Sequence, residues 1–414
     1  MADRRRPKRL HAIHGIGVDR MGNIADKVKA KDGGSASGRA LLRLENLDVD
    51  IPPDSIVQGI TAHSASNDDH NSYLPFLGQM ELRDTVAKHV SSLTGGTVQY
   101  DGQANCIISA GGLSGMLNTL LATVEDGDGV LLMEPAYAGL LNRVRLAGGI
   151  PRLVPFQFHA GGSWTLDRDR LRRVVESRDS HTVTAMMLMS PCMPTGAYLT
   201  REDWELIAEL CVRHDILVIY DAAMERLLFD DRPVIHPASL PGMADRTITV
   251  GSASKELRMI GWRVGWIVGP EHIMHDIGLV SMANVVVPVG IAQQATKKAL
   301  EVSETSMPDY VRELQLRRDL CMRELEGLPV GKPDGGWSLL LRVDTLGWKA
   351  DDAAEALLEA GACVTPMTGW GGGDDHAQYI RIVFSNEPRD RLMGLGQIVR
   401  HALSSRDART GAAA

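Results

Sequence analysis

The chain has 414 residues, 44% of them hydrophobic, with a net charge of −8 and a pI near 5.9. That length suffices for a large core and two domains, while the acidic balance argues against a nucleic-acid partner despite the basic run Arg4-Arg5-Arg6-Pro7-Lys8-Arg9. No apolar stretch follows that run or approaches membrane-spanning length, and the five scattered cysteines lack any Cys-x-x-Cys spacing, so the expectation is a cytoplasmic protein with no membrane contact, metal site or disulfide framework.

In chain order, a Gly- and Ser-rich loop over 31–39 precedes Leu44-Glu45-Asn46-Leu47-Asp48, whose Glu45 could be an ordinary surface residue before a turn. Residues 104–109 read as a strand entering Ala110-Gly111-Gly112, after which Leu117, Leu120, Leu121 and Val124 have helical spacing. Main-chain amides at such a helix start form an anion site. Strand and helix patterns then alternate, 130–133 with 140–146 and 183–189 with 202–214, the latter helix opened by a Thr200/Asp203 capping box. Residues 216–220 form a continuous apolar run that reads as a buried parallel strand and ends in Asp221.

Such alternation predicts an α/β fold: a mostly parallel sheet flanked by helices, with ligands at the carboxyl ends of its strands. Asp221 and the loop Ser252-Ala253-Ser254-Lys255 fall at those ends. Nearer the C-terminus, Gly371-Gly372-Gly373 reads as a turn or a mobile pocket loop, and Arg381 lies inside the apolar run Tyr379-Ile380-Arg381-Ile382-Val383-Phe384. A charge there is costly to bury unpaired, so a carboxylate partner is expected. Residues 73–305 are expected to form the large domain, with 1–72 and 306–414 together forming a smaller α/β domain and residues from 404 onward a frayed tail.

The stretch Ser252-Ala253-Ser254-Lys255-Glu256-Leu257-Arg258-Met259-Ile260-Gly261-Trp262-Arg263-Val264-Gly265 resembles the pyridoxal-phosphate lysine signature of the class I/II aminotransferases, a fold type I family. The resemblance runs from about Leu44 to Leu403. It implies that Lys255 forms an imine with pyridoxal 5'-phosphate, that Ser252 and Arg263 bind its phosphate, that Ser254 belongs to the cofactor site, and that Gly261 and Gly265 let the backbone pass close by. It further implies that Asp221 pairs with the pyridine nitrogen, that Ala110, Gly111 and Gly112 cradle the phosphate, and that Tyr137 of Glu134-Pro135-Ala136-Tyr137 stacks on the ring. Tyr73, in Tyr73-Leu74-Pro75-Phe76-Leu77-Gly78, would reach the phosphate of a neighbouring subunit, which implies a homodimer. Arg381 would grip the α-carboxylate of an amino-acid substrate.

Three positions depart from the family pattern. In Ser190-Pro191-Cys192-Met193-Pro194-Thr195-Gly196, Met193 replaces an asparagine, and in Asp221-Ala222-Ala223-Met224, Met224 replaces a tyrosine. Both family residues donate to the cofactor's phenolic oxygen, and methionine is an apolar filler that cannot. Without those donors the imine should hold its proton more tightly. Third, Glu45-Asn46 is similar to a pair in the 1-aminocyclopropane-1-carboxylate synthases, where the glutamate lies at the substrate pocket.

The resemblance implies transamination of an L-α-amino acid, with Lys255 moving the α-proton. The alternative, drawn from Met193, Met224 and Glu45, is γ-elimination, γ-substitution or ring formation on an S-adenosylmethionine-like substrate. A third class, DNA-binding regulators carrying an aminotransferase-like domain, is disfavoured because Lys255 is retained and no helix-turn-helix extension is seen. His11 and His14 are further pocket candidates.

Overall fold

The computed structural model describes residues 8–13, 20–26, 41–177, 181–371 and 378–404. Expectations placed on Arg4 to Pro7, His14, the 31–39 loop, Gly372, Gly373 and the tail beyond 404 lie outside the described residues.

After a short strand β1 (Leu42–Arg43), the chain builds an eight-stranded sheet from β2 (Cys106–Ser109), β3 (Gly129–Glu134), β4 (Ile150–Gln157), β5 (Thr165–Leu166), β6 (Val183–Met189), β7 (Leu217–Asp221), β8 (Thr247–Ser252) and β9 (Gly265–Val268). The spatial order is β2-β9-β8-β7-β6-β3-β4-β5. The five central strands are parallel, while β9 runs antiparallel to both its neighbours and β5 antiparallel to β4. The sheet is therefore mixed, with the expected parallel core.

Burial explains why β6 and β7 read as apolar runs rather than as alternating patterns. Along β7, Val218 and Tyr220 pack into a cluster with Leu206, Ile207 and Leu210 of the helix Arg201–His214. Ile219, on the opposite face, packs with Met116 and Leu120 of the helix Gly112–Thr123. Both faces are covered, so alternate residues are equally apolar. The Thr200 cap forms as expected, its Oγ1 accepting from Asp203 N while Asp203 Oδ2 accepts from Thr200 N. Expected boundaries shift by one or two residues, most clearly where Ala104 and Asn105 belong to the short helix Gly102–Asn105, because Asp101 accepts from the Gln103 and Ala104 amides at 2.8 and 2.9 Å and holds that turn.

A second, four-stranded sheet joins β10 (Val330–Gly331), β11 (Ser338–Arg342), β13 (Thr365–Pro366) and β14 (Tyr379–Val383), and β12 (Ala362–Cys363) pairs with β1. Residues from both ends of the chain share its core: Leu42 and Leu44 cluster with Leu339, Ile380, Ile382 and Phe384. The 35-residue helix Gly290–Glu324 serves both sheets. Ala292, Ala295 and Leu300 in its first half pack with the β2–β9 edge, whereas Met307, Tyr310 and Leu314 pack with the smaller core. No described helix is long and apolar enough to cross a membrane.

Register positions the chemistry. Met189 at the end of β6 pairs with Asp221 at the end of β7, and Asp221 with Val250 of β8, two residues before Ser252. These carboxyl ends therefore open on one common edge.

Candidate active site

Along that edge lies a cavity of about 310 Å³, lined among others by Gly112, Tyr137, Met193, Asp221, Met224, Ser252, Ser254, Lys255, Arg263 and Arg381. Its size falls in the roughly 300–1,000 Å³ range of small-molecule sites. Ten of the residues singled out in the sequence thus converge from distant segments. A larger open hollow of about 530 Å³, lined by Arg226, Asp231, Glu304 and Arg312 beside the long helix, contains none of them.

One end of the cavity gathers groups that can receive an anion. The helix Gly112–Thr123 begins there without a side-chain cap. Ser252 Oγ accepts from Ser254 N at 3.2 Å, and Arg263 Nη1 donates to Ser254 Oγ at 3.3 Å and to the Ile260 carbonyl at 2.9 Å. Gly111 is required here: its φ is +85°, and a β-carbon would stand 2.5 Å from Arg263 Nη2. Ala110 and Gly111 form the turn leading to Gly112, where the cavity wall begins. At Gly265 a β-carbon would meet the Gly111–Gly112 backbone at 2.6 Å, so this glycine permits close backbone-to-backbone packing beside the turn. Gly261 faces open space.

At the centre stand Lys255 and Asp221. Lys255 Nζ donates to the Leu47 carbonyl at 3.1 Å and lies 4.5 Å from the centre of the Trp337 ring. Burial, reinforced by the nearby Arg381 charge and opposed by Asp48, lowers its pKa to about 7. Asp221 is 9% exposed, and Oδ1 accepts from Ala223 N at 3.1 Å. Burial raises its pKa to about 6, against the pull of that amide and of Lys255.

At the far end Arg381, 1% exposed, is held by Nη2, which donates to the Glu45 carbonyl at 2.6 Å and Thr365 Oγ1 at 3.3 Å. Nη1 meets the Met193 sulfur at 3.9 Å, and Nε has no hydrogen-bond partner among the described residues. Burial lowers its pKa to about 10, leaving it charged at neutral pH. A buried guanidinium with an unused N–H beside a cavity can accept a carboxylate.

One residue expected at this chain's pocket lies elsewhere. The Glu45 carboxylate is fully buried but turned from the cavity, with Arg43 Nε donating to Oε1 at 2.7 Å. Side chains two apart in an extended segment share a face, so Arg43 captures it and only the Glu45 carbonyl serves the site. Tyr73 is 86% exposed and does not touch this chain's cavity. His11 is also exposed. Conversely, Asn46, Leu47, Leu113, Leu140, Met189, Ala223 and Ile260 line the wall without having been singled out as pocket residues. Leu47 and Leu113 adjoin marked motifs, a signal that was available.

The fold and this cavity define an α/β enzyme of the fold type I class. Comparison with known proteins narrows the class. The model of the family "Aminotransferase class I and II" matches residues 44–393, and the chain belongs to that family, whose members are pyridoxal-phosphate-dependent transferases. It is 33% identical over 318 residues to an aspartate aminotransferase of Pyrococcus abyssi, covering 76% of this chain and 79% of the relative. It is 31% identical over 353 residues to an arginine–pyruvate transaminase of Pseudomonas aeruginosa, covering 84% and 86%. The structure of aspartate aminotransferase from Thermus thermophilus with maleate superposes with a TM-score of 0.82 at 26% identity, over 97% of this chain and 98% of that one.

Proposed function

We propose that this aminotransferase holds pyridoxal 5'-phosphate at Lys255 and takes the amino group from L-α-amino acids whose side chains are uncharged. The observation that carries the reading is the convergence of an amine, a buried carboxylate, an anion cradle and a buried guanidinium on one cavity. The residues fit the cofactor: Gly111 leaves room that any side chain would fill, and Asp221 keeps an oxygen beyond the one held by Ala223. Gly112, Ser252, Ser254 and Arg263 would hold the phosphate, Tyr137 would lie against the ring, and Asp221 would keep a proton on the ring nitrogen. When bound, the cofactor supplies an electron sink for the pair left on the substrate Cα.

Lys255 carries the proton transfer. An amine with a pKa near 7 is about half unprotonated at neutral pH, so it can take the α-proton as a base and return it as an acid. Arg381 orients the substrate by its carboxylate, and the cavity wall excludes water with Leu47, Leu113, Leu140, Met189, Ala223 and Ile260. That wall sets the substrate preference, since a charged side chain there would be buried without a partner. In a homodimer, exposed Tyr73 would reach the phosphate of the neighbouring site, with residues 73–305 acting as the large domain and 1–72 with 306–414 as the small one.

Incubating the loaded enzyme with phenylalanine, leucine and methionine should accumulate pyridoxamine 5'-phosphate and 2-oxo acid, with kcat/KM at least about tenfold above that for aspartate. Aspartate as the preferred donor would defeat the substrate assignment. Amino acid consumed with no pyridoxamine phosphate would favour elimination or substitution chemistry instead. Met193 and Met224, both on the cavity wall, are the observation that keeps that second reading, while Glu45, turned away, no longer supports it. The same two methionines leave the phenolic oxygen without neutral donors, so the absorbance form of the bound cofactor that carries a proton should persist above neutral pH. A titration in which that band is lost under mildly acidic conditions would count against this.

A further inference from the structure

We infer that Trp370 is a positioning residue for substrate capture, fixing the plane of the Arg381 guanidinium and tying it to Tyr137. The inference rests on Arg381 receiving the substrate carboxylate, as proposed above. Trp370 is fully buried, in the segment that follows β13. The Arg381 guanidinium carbon lies over its ring, 4.7 Å from the centre. The same ring meets Tyr137 edge-on, with centres 5.5 Å apart and planes at 60°. Its backbone joins the arrangement: Ala136 N donates to the Trp370 carbonyl at 3.1 Å, next to Tyr137. One residue therefore touches both the group expected to hold the carboxylate and the ring expected to lie against the cofactor.

The need for such a residue follows from how Arg381 is otherwise held. Both of its oxygen partners, the Glu45 carbonyl and Thr365 Oγ1, sit on Nη2. Contacts through one nitrogen leave the guanidinium free to tilt, and the Met193 sulfur on Nη1 is a weak acceptor. An aromatic face restrains the tilt without using any N–H, because the cation meets the ring through its face and its donors point along its edge. Trp370 thus leaves the remaining donors available for the substrate while offsetting part of the cost of burying the charge.

The test compares Trp370→Met, which fills the space without a ring, with Trp370→Phe, which keeps an aromatic face, in the holoenzyme. KM for the amino-acid donor and the Kd of 3-phenylpropionate, a carboxylate lacking an amino group, should rise about 3- to 30-fold in the Met variant, with kcat within about threefold of the parent. The Phe variant should stay within about threefold on all three. Unchanged carboxylate affinity in the Met variant, or equal losses in both variants, overturns the inference. If the Met variant does not fold, the Phe variant decides: affinity within about threefold supports the role, and a loss beyond about tenfold at an unchanged unfolding midpoint overturns it. Arg381→Gln separates this inference from the reading beneath it, since that variant should lose carboxylate binding whatever residue 370 contributes. Normal carboxylate binding by Arg381→Gln would instead remove the substrate role of Arg381 itself.

Discussion

Replacing Lys255 by methionine should lower turnover by about a thousandfold or more and, at the same time, make the cofactor-free protein more stable. The first effect follows from removing the base, since positioned proton transfer alone contributes about 10²- to 10⁴-fold and the cofactor would lose its covalent anchor as well. The second follows from burial. Folding lowers the pKa of Lys255 from 10.5 to about 7, so between those values the unfolded chain binds more protons than the folded one. The stability of the parent must therefore rise with pH across that window, by up to roughly 1.4 kcal/mol per unit. The methionine variant lacks this term. Its advantage should be greatest at pH 7 and below and should shrink as pH approaches 10.5, which thermal unfolding of the two apoproteins at several pH values would show. Turnover above a few per cent of the parent, or a stability gap that widens with pH, would contradict the assignment.

The two effects draw on different information: the motif around Lys255 is local in sequence, whereas its environment is not. The spacing of Ser252, Lys255 and Arg263, with Asp221 at the end of an apolar run, reflects local rules: strand length, loop entry and the place where a carboxyl end opens. Those rules carried β6 to the residue and brought ten marked positions to one cavity. What lowers the proton affinity of Lys255 is tertiary. It is buried by segments distant in the chain, Leu47 among them at 208 positions away, and the Arg381 charge that reinforces the effect arrives from β14 of the smaller sheet. No period or motif near residue 255 encodes either one.

Glu45 and Trp370 show the same limit from opposite sides. Glu45 was marked for its side chain, yet Arg43, two positions earlier, was an audible warning that an ion pair would turn it aside. Trp370 carried no warning at all. It sits in a Gly-rich stretch that reads as a turn, and its contacts with Tyr137 and Arg381 exist only because β14 and the exit of β3 meet across the two sheets. A large buried aromatic residue in such a stretch thus helps to set which way a neighbouring charge points, as Trp370 does for Arg381.

Asp221→Asn should reduce kcat/KM by about 10²- to 10³-fold while leaving the fold intact. The substitution preserves shape and the amide contact from Ala223, so the sheet edge where Asp221 pairs with Met189 and Val250 is undisturbed. What it removes is a negative charge facing the cavity. A charge pair at about 4 Å with an effective dielectric constant of about 20 is worth roughly 4 kcal/mol, close to a thousandfold in rate if it is felt fully in the transition state and not in the ground state. The ground state will feel part of it, which places the expected loss below that ceiling. The buried carboxyl has a pKa near 6, so it is mostly ionised at pH 7, and a cationic ring nitrogen beside it would hold it ionised further down the pH scale. Asp221→Glu keeps the charge on a longer arm and should recover part of the activity, whereas Asn should not. Steady-state kinetics of both variants, with bound cofactor quantified after release, would separate lost chemistry from lost cofactor. An Asn variant within threefold of the parent would mean that the charge on Asp221 serves the fold and not the reaction.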